Sequence, residues 1–214
     1  IQFEIGRTDC PETDGKVICL PDLKSVDFDE ARGFVFHEAL HVMHTSFETV
    51  RTWNQGLAGK PEGKIVPELA NAIEDARIEH LGCKEFPGGQ FILNTRLRYL
   101  NLSTSELSRG KPSSVFMLWL CGTGLMVQQE KEENFSRLIE AARAISVAMM
   151  GEDLIRKLEA LLQKQIPQLQ STKDSYQVAI TIYELLKSFQ SEARENRRGD
   201  AVRPPAPEEA NLAQ

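Results

Sequence analysis

From Asp27 onward the sequence consists of helix-forming stretches separated by glycine and proline, and this pattern constrains the fold more than any other feature. Asp27 and Glu30 have the spacing of a capping box, which predicts that a helix begins at about residue 28. Breaks such as Gly110-Lys111-Pro112 and Gly151 end the later stretches. We expect helices at about 28–53, 66–81, 90–102, 113–130, 133–150, 152–165 and 173–197. The sequence therefore predicts a mainly α-helical protein.

A short β region is expected before the helices. Residues 2–6 alternate between polar and apolar side chains, and residues 16–20 form an apolar run that ends at Pro21. The Asp14-Gly15 pair between them is typical of a hairpin turn. We therefore expect a β-hairpin over about residues 2–20, in which residues 16–20 either pair with an extended substrate or only cover the core.

Charge and hydropathy exclude several function classes. The chain carries a net charge of −6, so it lacks the basic footprint of a nucleic-acid-binding protein. No apolar stretch reaches the length of roughly 18–20 residues that a membrane helix needs. The four cysteines have no CxxC spacing, which is typical of reduced thiols. We expect a cytoplasmic protein with no nucleic-acid or membrane partner.

The two ends of the chain suggest that it belongs to something longer. It begins with Ile1 rather than methionine, so we expect a processed or shortened product. Residues 200–214 are rich in proline, alanine and glutamate and contain few bulky apolar side chains. We therefore expect one domain over residues 1–198, with its helices at about 28–198, followed by a disordered linker at 199–214 that leads to a C-terminal domain missing from this chain.

His37, Glu38 and His41 form an HExxH motif inside the first predicted helix. Residues four apart lie on one helix face, about 6 Å apart along the axis, so both imidazoles can bind one Zn²⁺ ion. Glu38 then stands beside the water that the ion activates and can act as its general base. The alternative is a pair of core histidines that hydrogen bonds satisfy.

A zinc site needs a third protein ligand, and the second predicted helix offers acidic candidates. We favour Glu74 as this ligand. Asp75 is the alternative, because Asp75 and Glu79 stand four residues apart and can serve as a ligand and as the partner that orients a histidine. A solvated helix face with i,i+4 ion pairs would explain the same residues without a metal.

Two further residues near the motif are candidates for supporting roles. Arg77 can neutralise the neighbouring acids or hold a carboxylate or a tetrahedral oxyanion. His44 lies roughly 10 Å along the helix axis from His37, too far to share its ion. We expect His44 either to support the site or face the substrate, or to be an ordinary surface histidine.

Three blocks of sequence, at residues 13–21, 37–45 and 71–79, together resemble a known family. They are similar to the N-terminal, HExxH-bearing region of CobT-like proteins and of their bacterial and phage relatives that carry a von Willebrand factor A (VWA) domain. The resemblance covers about residues 9–82. Ser46 departs from the pattern, because relatives often carry aspartate there.

This resemblance implies a zincin-like domain of the gluzincin type, followed by a VWA domain. It also implies two different functions. Members that keep HExxH resemble zinc metallopeptidases that act on a protein or peptide, whereas the cobaltochelatase subunit implies a non-catalytic assembly module that partners an AAA+ ATPase and whose zinc is structural. Because this chain keeps the motif, we expect the peptidase.

Overall fold

The structure, a computed structural model, describes residues 1–97, 104–127 and 132–201. The protein is mainly helical and has a small sheet at its N-terminus. No helix within the described ranges is both long enough and apolar enough to cross a membrane. The strands are β1 (Gln2–Ile5), β2 (Glu12–Thr13) and β3 (Val17–Leu20), and the helices are α1 (Phe28–His44), α2 (Phe47–Leu57), α3 (Ile65–Glu85), α4 (Gly89–Leu97), α5 (Thr104–Arg109), α6 (Pro112–Met126), α7 (Glu133–Met150), α8 (Glu152–Gln165) and α9 (Thr172–Ala201).

The sheet has three strands in the order β1-β3-β2. The predicted turn at Asp14-Gly15 is present, and it joins β2 to β3 in an antiparallel pair. The Asp14 carboxylate accepts the backbone N–H groups of Lys16 and Val17 at 2.8 and 2.9 Å, which stabilises this turn. β1, however, pairs with β3 in parallel, so the prediction of a single hairpin over residues 2–20 is corrected to a hairpin with an added parallel strand.

The first predicted helix, at 28–53, is divided into α1 and α2. The Asp27 side chain accepts the backbone N–H of Glu30 at 2.8 Å, which confirms the predicted helix start. Thr45 and Ser46 have extended backbones, and the Ser46 hydroxyl accepts the N–H of Thr49 at 3.2 Å, so Ser46 caps a new helix. A serine at an N-cap satisfies an otherwise unpaired amide, which explains why the chain turns here.

The second predicted helix does not stop at Gly82 but continues to Glu85 in α3. A Cβ atom at Gly82 would lie 2.5 Å from both Cδ atoms of the buried Leu40, well inside van der Waals contact. Gly82 therefore allows α1 and α3 to approach each other closely rather than ending the helix. This close approach brings the HExxH helix against the acidic residues of α3.

α3 lies between two groups of buried apolar side chains. A small group, made of Leu40, Ile78 and Leu93, joins α1, α3 and α4. The main core joins α3 to α6, α7, α8 and α9 and includes the fully buried Trp119 and Leu120 of α6. Because both groups share α3, its side chains have well-defined positions.

The remaining elements differ from the predicted ones mainly at their ends. The short helix α5 is not predicted from the sequence. α9 continues to Ala201, past the predicted helix end at 197. Residues 202–214 of the predicted linker lie outside the described residues, as do 98–102 and 128–130 of two predicted helices.

Candidate metal centre

The histidines of the HExxH motif meet one carboxylate of α3 across the contact between α1 and α3. His37 and His41 lie on the same face of α1 and are buried, and their ring centroids are 4.9 Å apart. One potential ligand atom from each of His37, His41 and Asp75 lies within 4.8 Å of the others. The two imidazoles thus point toward each other and toward a carboxylate.

The spacing of these atoms fits a small divalent cation. Asp75 Oδ1 lies 3.0 Å from Nε2 of His41 and 3.6 Å from Nε2 of His37. Zinc bonds of about 2.0–2.1 Å at tetrahedral angles separate the ligand atoms by about 3.3 Å, a value between these two distances. Two imidazoles and a carboxylate are also a donor set that zinc accepts. The residues present therefore fit a zinc ion.

The cluster opens into a cleft of about 750 Å³. Glu38 lines this cleft beside His37 and His41 although its side chain is almost fully buried. The other walls are formed by the β2–β3 turn, by α2, by α3 and by the beginning of α9. The cleft is thus large enough for a segment of substrate to reach the candidate ligands and the candidate base.

Glu74, the favoured third ligand from the sequence, does not belong to this group. Both of its carboxylate oxygens accept hydrogen bonds: Oε2 from Arg77 Nε at 2.9 Å, and Oε1 from Arg77 Nη2 at 2.6 Å. Thr45 and Thr172 donate to Oε1 at 2.9 and 2.8 Å, and Ser175 donates to Oε2 at 2.7 Å. These five hydrogen bonds engage the lone pairs of Glu74, which lies outside the group of candidate ligands. The carboxylate in that group is Asp75, the alternative from the sequence.

The nitrogens of the two imidazoles that face away from the cluster also have partners. Nδ1 of His37 lies 3.3 Å from Oε1 of Glu79, whose side chain is fully buried. Nδ1 of His41 lies 3.0 Å from the hydroxyl of Thr45. The contact of His37 with Glu79, which is at ion-pair distance, is the one expected from the alternative in which Asp75 is the ligand and Glu79 orients a histidine. Partners of this kind fix the ring orientation of metal-binding histidines.

The electrostatics of the cluster shift two pKa values. Burial lowers the pKa of His41, but the hydrogen bond and charge of Asp75, with the charges of Glu38 and Glu74, outweigh it and raise the pKa above 6.5. Burial raises the pKa of Glu74, but Arg77, Ser175 and Thr172 outweigh it and hold the pKa below 4.5. The same acidic side chains that favour a positive charge on His41 would also favour the binding of a metal cation.

Arg77 and His44 lie outside the cleft. Arg77 is buried against Glu74 and donates to the backbone carbonyl of His44 at 2.7 Å, so it neutralises an acid rather than facing a substrate. Nε2 of His44 lies 3.5 Å from Glu85, away from His37 and His41. Of the roles expected for these two residues, the contacts are consistent with charge neutralisation by Arg77.

The strand that borders the cleft is β2 rather than β3. β3 has neighbours on both sides, so the expectation that residues 16–20 offer a free edge to a substrate is wrong. Glu12 and Thr13 of the edge strand β2 line the cleft, together with Asp14 and Lys16 of the turn. Gly15 of this turn packs on Phe47 of α2, where a Cβ would lie 2.5 Å from the ring.

Three residues that are not predicted from the sequence hold the carboxylate of Glu74, namely Thr45, Thr172 and Ser175. The position of Thr45 could have been inferred from the sequence, because it lies between His44 and Ser46, a serine able to cap a new helix. Thr172 and Ser175 are about 100 positions from Glu74, and nothing in the local sequence links them to it. Only the packing of α9 against α3 brings them together.

Comparison of the chain with models of protein families, with curated proteins and with solved structures found no match.

Proposed function

We propose that this protein is a zinc-dependent metallopeptidase domain. One observation carries the proposal: His37, His41 and Asp75 offer three ligand atoms within 4.8 Å of one another, in a cleft that Glu38 also lines. The ligands would be Nε2 of each histidine and a carboxylate oxygen of Asp75. Glu38 would be the general base.

A zinc ion bound at this position would lower the pKa of a water molecule and polarise a substrate carbonyl. The carboxylate of Glu38 would accept a proton from the attacking water as the new C–O bond forms. The same carboxyl would return that proton to the leaving amine as the C–N bond breaks, so that hydrolysis yields a carboxylic acid and an amine. Glu79 and Thr45 would orient the imidazoles and take no part in proton transfer.

The size of the cleft is compatible with a peptide or protein substrate. Peptide segments or loops of proteins can enter a cleft of about 750 Å³ that is lined by both polar and apolar side chains. The zincin-like fold and the CobT-like family remain part of this proposal and rest on the sequence blocks at 13–21, 37–45 and 71–79. A VWA domain and an AAA+ ATPase are the partners that this family would imply.

A non-catalytic assembly module with a structural zinc is the alternative function. Structural zinc sites have four protein ligands, whereas catalytic sites leave one position open. In the parts of the chain that the structure describes, the group of candidate ligands has three members and borders a cleft. This arrangement favours the catalytic function.

Metal content and hydrolysis test the proposal together. Elemental analysis of the purified chain should find one zinc per molecule, and Asp75→Ala should remove it. Glu38→Gln should keep the zinc but abolish cleavage of a fluorescent casein and of a peptide pool. Glu68→Gln, an exposed acid on α3, is the matched control and should leave both unchanged.

Four results would contradict the proposal in different ways. Absence of zinc from the wild-type protein would remove the metal site. Iron in place of zinc would point to the two-histidine, one-carboxylate site of an oxygen-activating enzyme. Zinc that is retained with no cleavage, or cleavage that Glu38→Gln leaves intact, would favour the assembly module or another catalytic site.

A further inference from the structure

We propose that Thr45 and Glu74 are positioning residues, which hold the His41 imidazole in the form that carries its proton on Nδ1 and presents Nε2 to the metal. The inference gives these two residues a role in the metal site and rests on the proposed function for that role. It begins with a buried carboxylate that neither the ligand set nor the catalytic step uses. Glu74, Thr45 and His41 form a row of three groups in hydrogen-bond contact.

The first step fixes the proton of the Thr45 hydroxyl. Glu74 is paired with the guanidinium of Arg77 through two hydrogen bonds and is ionised, so its oxygens can only accept. Thr45 Oγ1 lies 2.9 Å from Glu74 Oε1 and must donate its single proton there. The hydroxyl is therefore left with lone pairs for its second contact.

The second step follows at His41. Nδ1 of His41 lies 3.0 Å from the same hydroxyl, which can only accept, so Nδ1 must carry the hydrogen. A neutral imidazole with its N–H group at Nδ1 presents the lone pair of Nε2 to a metal. In the metal-free protein Nε2 faces Asp75 Oδ1 at 3.0 Å, a contact that needs a second proton on Nε2, and a metal ion would take the place of that proton.

The third step explains why the arrangement is rigid. Thr172 and Ser175 of α9 donate to the two oxygens of Glu74. Thr172 also accepts the backbone N–H of Ser46 at 2.8 Å, which ties the cap of α2 to α9. Glu74 therefore links the end of α1 to the beginning of α9, and the Thr45 hydroxyl has little freedom to turn.

The test removes the hydroxyl and keeps the shape of the side chain. Thr45→Val leaves Glu74 with Arg77, Thr172 and Ser175, so the protein should fold, which circular dichroism checks. We expect zinc to bind about 10–100-fold more weakly, as measured by competition with a chromophoric chelator. Thr45→Ser should restore the affinity, and Thr52→Val, an exposed threonine on α2, should not change it.

A second readout reports the proton itself. Nitrogen NMR of ¹⁵N-histidine-labelled protein is simple here, because the chain has four histidines. In the metal-free wild type, in which Nε2–H donates to Asp75, the Nδ1–H of His41 should exchange slowly with water because it donates to the Thr45 hydroxyl. In Thr45→Val this proton should exchange much faster, and Thr45→Ser should restore the slow exchange.

The outcomes separate this inference from the proposed function. Wild-type zinc affinity in Thr45→Val, or slow exchange of the Nδ1 proton in that variant, would overturn the inference. Absence of a proton from Nδ1 of His41 in the metal-free wild type would overturn it as well. If the wild type binds no zinc, the proposed function fails, while the NMR experiment still decides whether Thr45 sets the proton on His41.

Discussion

Adding one methyl group at Gly82 should force α1 and α3 apart. The Cβ of Gly82→Ala would lie 2.5 Å from both Cδ atoms of Leu40, whereas carbon atoms in contact are about 3.5–4.0 Å apart. Relief therefore requires a shift of about 1 Å, and Leu40 is fully buried and cannot turn into solvent. Overpacking costs about 1–3 kcal/mol, and the fully buried leucine places this case at about 2–3 kcal/mol.

Part of this cost is offset because alanine favours a helix over glycine by up to about 1 kcal/mol. The net loss in the free energy of unfolding should be about 1–2 kcal/mol. At about 2–4 °C per kcal/mol for a chain of this size, Tm should fall by roughly 2–8 °C. Zinc binding at the proposed site should weaken too. His41 follows Leu40 on α1, and Asp75 lies on the same helix as Gly82, so a shift that separates the two helices also separates the candidate ligands.

Urea unfolding followed by circular dichroism, together with a zinc titration, measures both effects. Gly56→Ala is the matched control, because a Cβ there has no neighbour within 4 Å, and it should be neutral or slightly stabilising. In Leu40→Ala combined with Gly82→Ala, the new methyl group occupies the space that the leucine leaves. The double-mutant cycle should therefore show at least about 1 kcal/mol of favourable coupling. Wild-type stability in Gly82→Ala, or no coupling, would refute this account of the contact.

Three other predictions concern charge and capping. The His41 pKa is raised above 6.5, and the proton on His41 competes with zinc. The zinc affinity should therefore fall about tenfold per pH unit as the pH falls below that pKa. A zinc affinity that does not change over a series of titrations at different pH contradicts this. Glu74→Ala leaves the guanidinium of Arg77 buried without its carboxylate and should lower the free energy of unfolding in urea by about 3–5 kcal/mol. The double variant Glu74→Ala with Arg77→Met should recover part of that loss. No recovery would mean that the buried charge is not the cause. Asp27→Ala removes the cap of α1 and should lower the free energy of unfolding by about 0.5–2 kcal/mol, and Asp27→Ser should lower it much less; equal losses would exclude the cap as the reason.

The sequence predicts the helical class of this protein and the face of α1 that carries the two histidines. Both follow from local rules, since the cap at Asp27 and the spacing of His37 and His41 depend on a few consecutive residues. The division between α1 and α2 is also local, but Thr45 and Ser46 are compatible with either a continuous helix or a cap. Their hydrogen bonds decide between these possibilities.

The third candidate ligand could not be chosen from the sequence. Glu74 and Asp75 are adjacent, so they point about 100° apart around α3, and local spacing does not say which one faces α1. Packing decides, because Thr172 and Ser175 of α9 engage Glu74 and leave Asp75 toward the histidines. The parallel pairing of β1 with β3 likewise depends on contacts between separate strands rather than on a local signal.

Anomalous X-ray diffraction at the zinc edge, on crystals of the zinc-loaded protein, tests the central claim most directly. The account predicts one strong peak at bonding distance, about 2.0–2.1 Å, from Nε2 of His37, from Nε2 of His41 and from a carboxylate oxygen of Asp75. A peak bound by Glu74, a fourth protein ligand that closes the site, or no peak between the two imidazoles would contradict it.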